Sequence, residues 1–383
     1  MTEKNFRLSL KLKNISIFNL WGKDKISIPI NEQVTFFTGI NGSGKSSLLN
    51  VIFDSLVLDP KKMKMPSTSK NKFWSSRCNF SNEFIMDTMV IPYSKNSNVD
   101  LTELDQLMKD KLTDSQVMKQ VQEMFFDAEL GDKLTYITYD YEPKGEIWRK
   151  QNFYPNIVHE EELDNLVRDQ EPLAFIYQED RVMLHSRSND EGEQEKSRFY
   201  RSVYRSSIDD RFEYLRNAIQ VRESFYYKKM ANLFSKLSPE SFSFDDVVKS
   251  DSYLEVSKKL EEIESVLKSL NSYFELSGKK VVRDENNKYT LALLKDEDTP
   301  ICWNLLSRGE KTLLYLFFAI YYFKERVNVF LLDEPDISLH VSWQENLIRD
   351  LVSIAPNNQF IVATHSPSLV MKGWLPYCLE LQV

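Results

Sequence analysis

Apolar residues recur along this chain at two spacings, every second residue in some stretches and every third or fourth in others. Alternation at Leu8, Leu10 and Leu12, continued by Ile15 and Ile17, predicts a strand within residues 6–18. Ile26, Ile28 and Ile30 predict a second strand, and the run from Val34 to Thr38 a third. Leu48, Leu49, Val51, Ile52 and Phe53 then fit a helix over 45–58 that ends near Pro60. Residues 84–91 read as a strand and 101–126 as a polar helical insert. Leu134, Tyr136, Ile137 and Tyr139 begin another strand, which turns at Pro143-Lys144-Gly145 and returns through Ile147 and Trp148. Residues 172–178 read as a buried strand entering a polar loop, and 185–196 has the composition of a flexible segment.

Two long helices are predicted next. In the first, Phe212, Leu215, Ile219, Tyr226, Met230, Leu233 and Leu237 lie near one face until Pro239 stops the helix. In the second, Val256, Leu260, Ile263, Leu267, Leu270 and Phe274 alternate steps of four and three, the seam of a short coiled coil. A hairpin over 281–283 and 289–294, turning at Glu285-Asn286-Asn287, precedes an apolar helix over 313–323 and strands at 327–333 and 359–363.

Chemistry sits at the junctions of this pattern. The third strand runs into Thr38-Gly39-Ile40-Asn41-Gly42-Ser43-Gly44-Lys45-Ser46-Ser47, which opens the first helix. Strand, glycine loop and helix in that order fit the phosphate-binding pattern G-x-x-x-x-G-K-[ST]. Gly39, Gly42 and Gly44 let successive N–H groups curl around a phosphate, and the helix points its partly positive N-terminus at that anion. Lys45 then reaches the β- and γ-phosphates while the Ser46 hydroxyl ligates Mg²⁺. Near the other end, Leu306-Ser307-Arg308-Gly309-Glu310 again sets a Ser and a Gly at a helix start. The apolar run 327–335 ends in Asp333-Glu334, as a central parallel strand does when it delivers acids to the C-terminal edge of a sheet. Asp333 is a candidate to hold Mg²⁺ through water, and Glu334 to polarise the water attacking a γ-phosphate. The strand 359–363 ends in Thr364-His365-Ser366, which brings an imidazole to the same edge as a γ-phosphate sensor.

Composition narrows the class. With 383 residues, 42% hydrophobic and 28% charged, the chain is an ordinary folded protein with length for one elaborated domain or two. No apolar run is long enough to cross a bilayer, since the one from Tyr315 soon meets Lys324, Glu325 and Arg326. The first residues lack a secretory h-region, and a cytoplasmic location is expected. Cys78, Cys302 and Cys378 stand far apart, with no C-x-x-C pair, and are expected to be reduced thiols. A formal net charge of −8 argues against non-specific coating of nucleic acid. One basic stretch, Lys61, Lys62, Lys64, Lys70, Lys72 and Arg77 with Phe73-Trp74, is either a solvated loop or a contact for nucleic acid or a partner.

In order and mutual spacing these motifs resemble the ABC-type ATPase head, from one end of the chain to the other. The residues Gly39, Asn41, Gly42, Ser43, Gly44, Lys45, Ser46 and Ser47 look like its Walker A loop, Ser307, Arg308, Gly309 and Glu310 its signature loop, Asp333 and Glu334 the end of its Walker B strand, and His365 its switch histidine. Asp336-Ile337-Ser338-Leu339-His340 followed by Gln344 resembles the D-loop of the branch that holds RecF-like and overcoming-lysogenisation-like ATPases. That branch includes ATPase subunits of bacterial anti-phage systems, such as Septu (PtuA-like), retron-associated and PARIS-type complexes. Gln178 sits where the Q-loop glutamine of the family is expected, as a metal ligand joined to the helical lobe, with Glu179 and Arg181 as alternatives. Three positions depart from the pattern: Arg308 at a variable signature position, Glu310 where transporters carry Gln, and Val341 where a proline follows His340. Phe18 and Trp21 are the candidates for adenine stacking.

The resemblance implies an α/β fold: a P-loop head with a mixed β-sheet core, an antiparallel β subdomain and an inserted helical lobe with a short coiled coil. The expected division is 1–99 and 301–383 as halves of the ATPase core, with 100–300 as the insert. It also implies ATP and Mg²⁺ as ligands and a homodimer with two composite sites, in which Ser307 and Gly309 of one subunit cap the γ-phosphate held by Lys45 of the other. The expected activity is slow ATP hydrolysis in a defence or toxin complex. Because little chain follows His365, an effector nuclease is expected to be a separate polypeptide. A RecF-like DNA-repair clamp and a slowly hydrolysing ATP-bound scaffold are the other readings.

Overall fold

The structure is a computed structural model that describes residues 9–20, 23–58, 74–81, 83–93, 121, 134–142, 145–154, 166, 172–178, 208–235 and 244–381. The predicted helix at 101–126, apart from residue 121, and the polar segment at 185–196 lie outside the described residues, as do Trp21, Glu179, Arg181 and the lysines from 61 to 72. In chain order the elements are β1 (Leu12–Leu20), β2 (Lys23–Pro29), β3 (Val34–Thr38), α1 (Lys45–Leu56), β4 (Trp74–Phe80), β5 (Ile85–Tyr93), β6 (Leu134–Glu142), β7 (Gly145–Tyr154) and β8 (Ala174–Gln178). Helices α2 (Ile208–Phe234), α3 (Phe244–Val248) and α4 (Asp251–Phe274) precede the hairpin β9 (Lys279–Arg283) and β10 (Tyr289–Leu293). The chain finishes with α5 (Arg308–Phe323), β11 (Val329–Asp333), α6 (Val341–Ile354), β12 (Gln359–Ala363), α7 (Pro367–Val370) and β13 (Cys378–Glu380).

Two large sheets organise these elements, and their strands are counted among the described residues. The core sheet has five parallel strands in the order β13-β3-β12-β11-β8. Every residue of β8, β11 and β12 is buried, the signature of parallel strands covered on both faces. Register fixes what reaches the C-terminal edge: Asp333 lies opposite Gln178 on one side and Ala363 on the other, and Ala363 lies opposite Phe37. The chain therefore leaves the sheet at one level just before Gly39, Glu334 and Thr364, where α/β sheets bind ligands.

The second sheet is antiparallel, with six strands in the order β2-β1-β4-β5-β7-β6. Its strand β4 replaces the end of the expected basic loop. Trp74 is only 1% exposed, and Arg77 donates to both Asp87 carboxylate oxygens at 2.8 and 2.7 Å across β4 and β5. Neither residue is available to a phosphate backbone. The first strand also begins later than its alternation suggests, at Leu12, with Leu10 buried just ahead of it.

Helix α1 lies between the sheets, which explains why it is buried from Leu48 to Leu56 instead of showing one apolar stripe. One side meets β8, β11 and β12. On the other, Ser55 Oγ and Ser76 Oγ share a hydrogen bond of 2.7 Å, and Thr88 Oγ1 donates to the Ser55 carbonyl at 3.3 Å. Its last turn is closed by Arg149 of β7, whose guanidinium donates to the carbonyls of Asp54 (2.9 Å) and Val57. A fully buried cation at a helix C-terminus satisfies orphan carbonyls and complements the helix dipole.

The helical lobe covers the other flank. Helices α2 and α4 run antiparallel, joined by Lys229 to Glu255 at 3.0 Å and by Phe234 against Tyr253. Within α4 the buried stripe is Val256, Ile263, Val266, Leu270, Tyr273 and Phe274, while Leu260 and Leu267 are half-buried. The stripe is wider than a two-position seam because its C-terminal half packs on α5 and α6, with Tyr273 against Phe317 and Phe274 against Trp343. Among the described residues, no helix is long and apolar enough to cross a membrane.

Candidate functional site

The phosphate loop is shaped by backbone conformations that its glycines permit. Gly39 has φ 137° and a Cβ there would press on the Leu381 carbonyl oxygen, while Gly44 takes the left-handed N-cap position of α1 at φ 84°. No side chain caps α1, and its first backbone bond runs from Leu48 N–H to the Gly44 carbonyl at 2.8 Å. The N–H groups of the first turn thus face the loop, a ready anion site. Asn41 and Gly42 are exposed, Ser43 is buried, and Ser47 is half-buried.

Lys45 folds back into this loop. Its ammonium donates to the carbonyls of Gly39 (3.0 Å) and Ile40 (3.2 Å) and to Ser43 Oγ (3.4 Å). Burial holds this ammonium below the ordinary lysine range, with the carboxylates of Glu334 and Asp333 pulling the other way. A terminal phosphate offers stronger acceptors than two loop carbonyls.

The sheet edge supplies the rest. Ser46 Oγ donates to Asp333 Oδ1 at 2.9 Å, and Gln178 Nε2 donates to Asp333 Oδ2 at 3.0 Å. Of the three alternatives for the Q-loop position, Gln178 is the described one, and it meets Asp333 because parallel register sets them side by side. His365 stands between Lys45 and Glu334, with Nδ1 3.5 Å from Lys45 Nζ and Nε2 3.4 Å from Glu334 Oε1. Both Glu334 and His365 are about a third exposed, open to a substrate. Glu334 holds a left-handed φ of 48°, and its N–H still donates to the Ala363 carbonyl at 2.8 Å. A non-glycine residue held this way costs about 1–3 kcal/mol, a strain that tends to collect at functional sites.

Ser46, Asp333 and Gln178 present a donor set of oxygens suited to Mg²⁺, which keeps several waters and shares its shell with substrate phosphates. Among the described residues, no group of three His, Cys, Asp or Glu could hold a metal unaided. A cation here would complete its coordination with water or phosphate oxygens.

The signature residues are held by a different set of partners. Ser307 caps α5 in a reciprocal box, its hydroxyl accepting from Glu310 N–H while Glu310 Oε2 accepts from Ser307 N–H at 2.8 Å. The second Glu310 oxygen accepts from Lys279 Nζ at 2.6 Å. Glu310 is therefore buried and engaged in shaping the loop, while Ser307 and Arg308 are exposed. Gly309 is required by close approach, because any Cβ there would collide with the Ser338 carbonyl oxygen. Gly309→Ala is expected to displace the signature loop and to lower turnover at least tenfold with little change in ATP affinity, measured by steady-state hydrolysis beside equilibrium binding.

Several residues that the sequence placed only within motifs support the site through contacts with one another. Thr364 Oγ1 donates to Asp336 Oδ1 at 2.7 Å, and burial raises the Asp336 carboxyl above its usual range. Gln344 joins the loop after Glu334 to the loop of His365, donating to the Leu339 carbonyl at 3.0 Å and accepting from Ser366 Oγ at 2.7 Å. Asp336 and Gln344 lay in the D-loop pattern and Thr364 and Ser366 beside His365, but nothing local showed that they bond one another. Lys279 carried no signal. Phe18 is buried at 4% exposed, which withdraws it as an adenine platform.

Comparison with known proteins adds to this geometry. The Retron Vc95 probable ATPase of Vibrio cholerae serotype O1 biovar El Tor is 22% identical over 403 residues, covering 94% of this chain and 71% of that protein. The Retron Ec83 probable ATPase of Escherichia coli is 34% identical over 142 residues, 29% of this chain and 26% of that one. Among solved structures, an Smc head bound to the C-winged helix domain of ScpA matches with a TM-score of 0.47 and 14% identity, covering 94% of this chain and 92% of that one. The recombination mediator RecF matches with a TM-score of 0.41 and 13% identity, covering 98% and 96%. Both structural likenesses are distant. A model of the AAA ATPase domain, AAA_15, matches residues 10–370, and the chain belongs to that ATPase family.

Proposed function

We propose that this protein binds and hydrolyses ATP, dimerises on ATP through two composite sites, and controls a separate effector nuclease in a prokaryotic anti-phage defence or toxin complex of the cytoplasm. The observation that carries the reading is the gathering of Lys45, Ser46, Gln178, Asp333, Glu334 and His365 at one sheet edge, while Ser307 and Arg308 open outward on a separately supported loop. The likeness to two proteins named as retron probable ATPases supports the defence setting. In this reading residues 1–99 and 301–383 form the ATPase core together with β8 at 174–178, which corrects the expected division because that strand, inside the 100–300 insert, pairs with β11 in the core sheet.

The mechanism follows from what each side chain can do. The first-turn N–H groups of α1 and the loop amides hold the β-phosphate. Lys45 exchanges its two loop carbonyls for phosphate oxygens. Ser46 and Asp333, with Gln178 beside them, would hold Mg²⁺, which would supply positive charge against the charge that develops on the phosphates. Glu334 takes a proton from the attacking water, and His365 donates a hydrogen bond to the γ-phosphate. Ser307 and the Gly309 N–H of a second copy close the site. Binding then favours the closed dimer and hydrolysis releases it.

Purification of the tagged protein from its native host tests the assignment. A nuclease is expected to co-purify, in amounts that change when ATP is replaced by ADP. Recovery of the chain alone, together with ATP-dependent DNA binding of steep salt dependence, would replace this reading with a RecF-like clamp.

A further inference from the structure

We infer that Arg211 is a positioning residue that couples Gln178 at one ATP site to the signature loop which the same chain presents to the other site. The inference rests on the composite-site reading and adds a route within the protomer. Arg211 stands in the first turn of α2 and is only 4% exposed. Its Nη1 donates to the main-chain carbonyl of Gln178 at 2.9 Å, the residue whose side chain bonds Asp333. The same guanidinium lies beside Tyr315 of α5, the helix that begins at the signature loop. Burial pushes the Tyr315 phenol up to about 12, and Arg211 acts against that shift. The Tyr315 ring also meets that of Tyr177, the neighbour of Gln178, at 5.8 Å.

The next residues of α2 engage the approach to the signature loop. Phe212 packs edge-on against Trp303, and Arg216 lies over that indole at 5.7 Å. Arg216 is itself pinned, donating to the Tyr289 carbonyl (2.6 Å), to Glu213 (2.7 Å) and to Asp284. Trp303 lies four residues before Ser307, and Lys311, one turn into α5, reaches back to the Asn304 carbonyl at 3.0 Å. One rigid helix thus grips Gln178 at its first turn and the signature segment a turn later. A shift of the Gln178 main chain when phosphate and metal arrive would move α2 or break the Arg211 bond. Two-state elements that both sites bias are the physical basis of such coupling.

Arg211→Met keeps the length and packing of the side chain and removes both the charge and the bond. The test is made in the Glu334→Gln background, where bound ATP is expected to be consumed about a hundredfold more slowly. Two quantities are read: ATP affinity of dilute monomer, and the ATP concentration that gives half-maximal dimer by light scattering. Expected is unchanged monomer affinity, within twofold, with the half-maximal concentration raised about tenfold. Arg211→Lys, which retains a donor and a charge, is expected to recover most of the shift. Should Arg211→Met not fold, the same comparison is made with Arg211→Lys, for which a smaller shift of the same sign is expected. Equal half-maximal concentrations in parent and variant overturn the coupling and leave the composite site standing. Equal losses in monomer affinity and dimerisation also overturn it. A Glu334→Gln parent that stays monomeric with ATP overturns both readings.

Discussion

Glu334→Gln is expected to lower ATP turnover by about a hundredfold or more, the range for losing a positioned general base, while ATP stays bound and the dimer persists. The reasoning starts from geometry. Glu334 is the acid at the sheet edge that is open to solvent, whereas both oxygens of Asp333 are occupied by Ser46 and Gln178. Its carboxylate lies 3.4 Å from His365 Nε2, so a water held near His365 is within its reach. Glutamine has the same length and tolerates the same backbone, including the left-handed φ of 48°, so the substitution removes basicity and leaves the strain where it was. Single-turnover phosphate release gives the rate and light scattering gives the mass. A variant that hydrolyses within tenfold of the parent would remove Glu334 from the role of base.

Lys45→Met is expected to weaken ATP binding by about tenfold to a hundredfold, the consequence of losing charge-assisted bonds to phosphate. Its effect on the unliganded protein runs the other way. Lys45 is 4% exposed and its ammonium is satisfied by two loop carbonyls and a serine hydroxyl, and burial already disfavours its charge. Removing it relieves that desolvation and leaves carbonyls at a loop open to water. The free variant is therefore expected to melt no lower than the parent, yet to lose the rise in Tm that Mg-ATP gives the parent. Thermal melts with and without nucleotide separate the two effects. A variant that melts far lower without ligand would mean that Lys45 is chiefly structural.

How much of this was legible beforehand follows from the range of the interactions involved. The strands β3, β8, β11 and β12 were readable because each is a short apolar run flanked by loop residues, and burial on both faces needs only local composition. The phosphate loop and the helix start at Ser307 are local motifs, and each formed where its spacing pointed, whereas the capping box between Ser307 and Glu310 emerged only with the structure. What sequence could not show depends on partners far along the chain. Strand β4 was hidden because Trp74, Ser75, Ser76 and Arg77 look like a basic loop until Asp87, Thr88 and Ser55 are brought beside them. Arg149 gave no signal within its strand, although it closes the helix of the phosphate loop. Lys279 and Arg211 gave no signal for the same reason: their partners, Glu310 and Gln178, lie 31 and 33 residues away.

Mixing two inactive variants tests most directly whether each ATP site is built from two chains. Lys45→Met spoils the phosphate loop, and Ser307→Arg blocks the signature loop at an exposed position while removing a helix cap worth about 1 kcal/mol. Each alone is expected to hydrolyse ATP poorly, because every dimer carries the same lesion in both sites. In a mixture, half-and-half dimers regain one site with an intact Lys45 from one chain and an intact Ser307 from the other, and turnover is expected to recover. A mixture no more active than its components, or a Ser307→Arg protein that hydrolyses ATP at the parental rate as a monomer, would contradict a shared site.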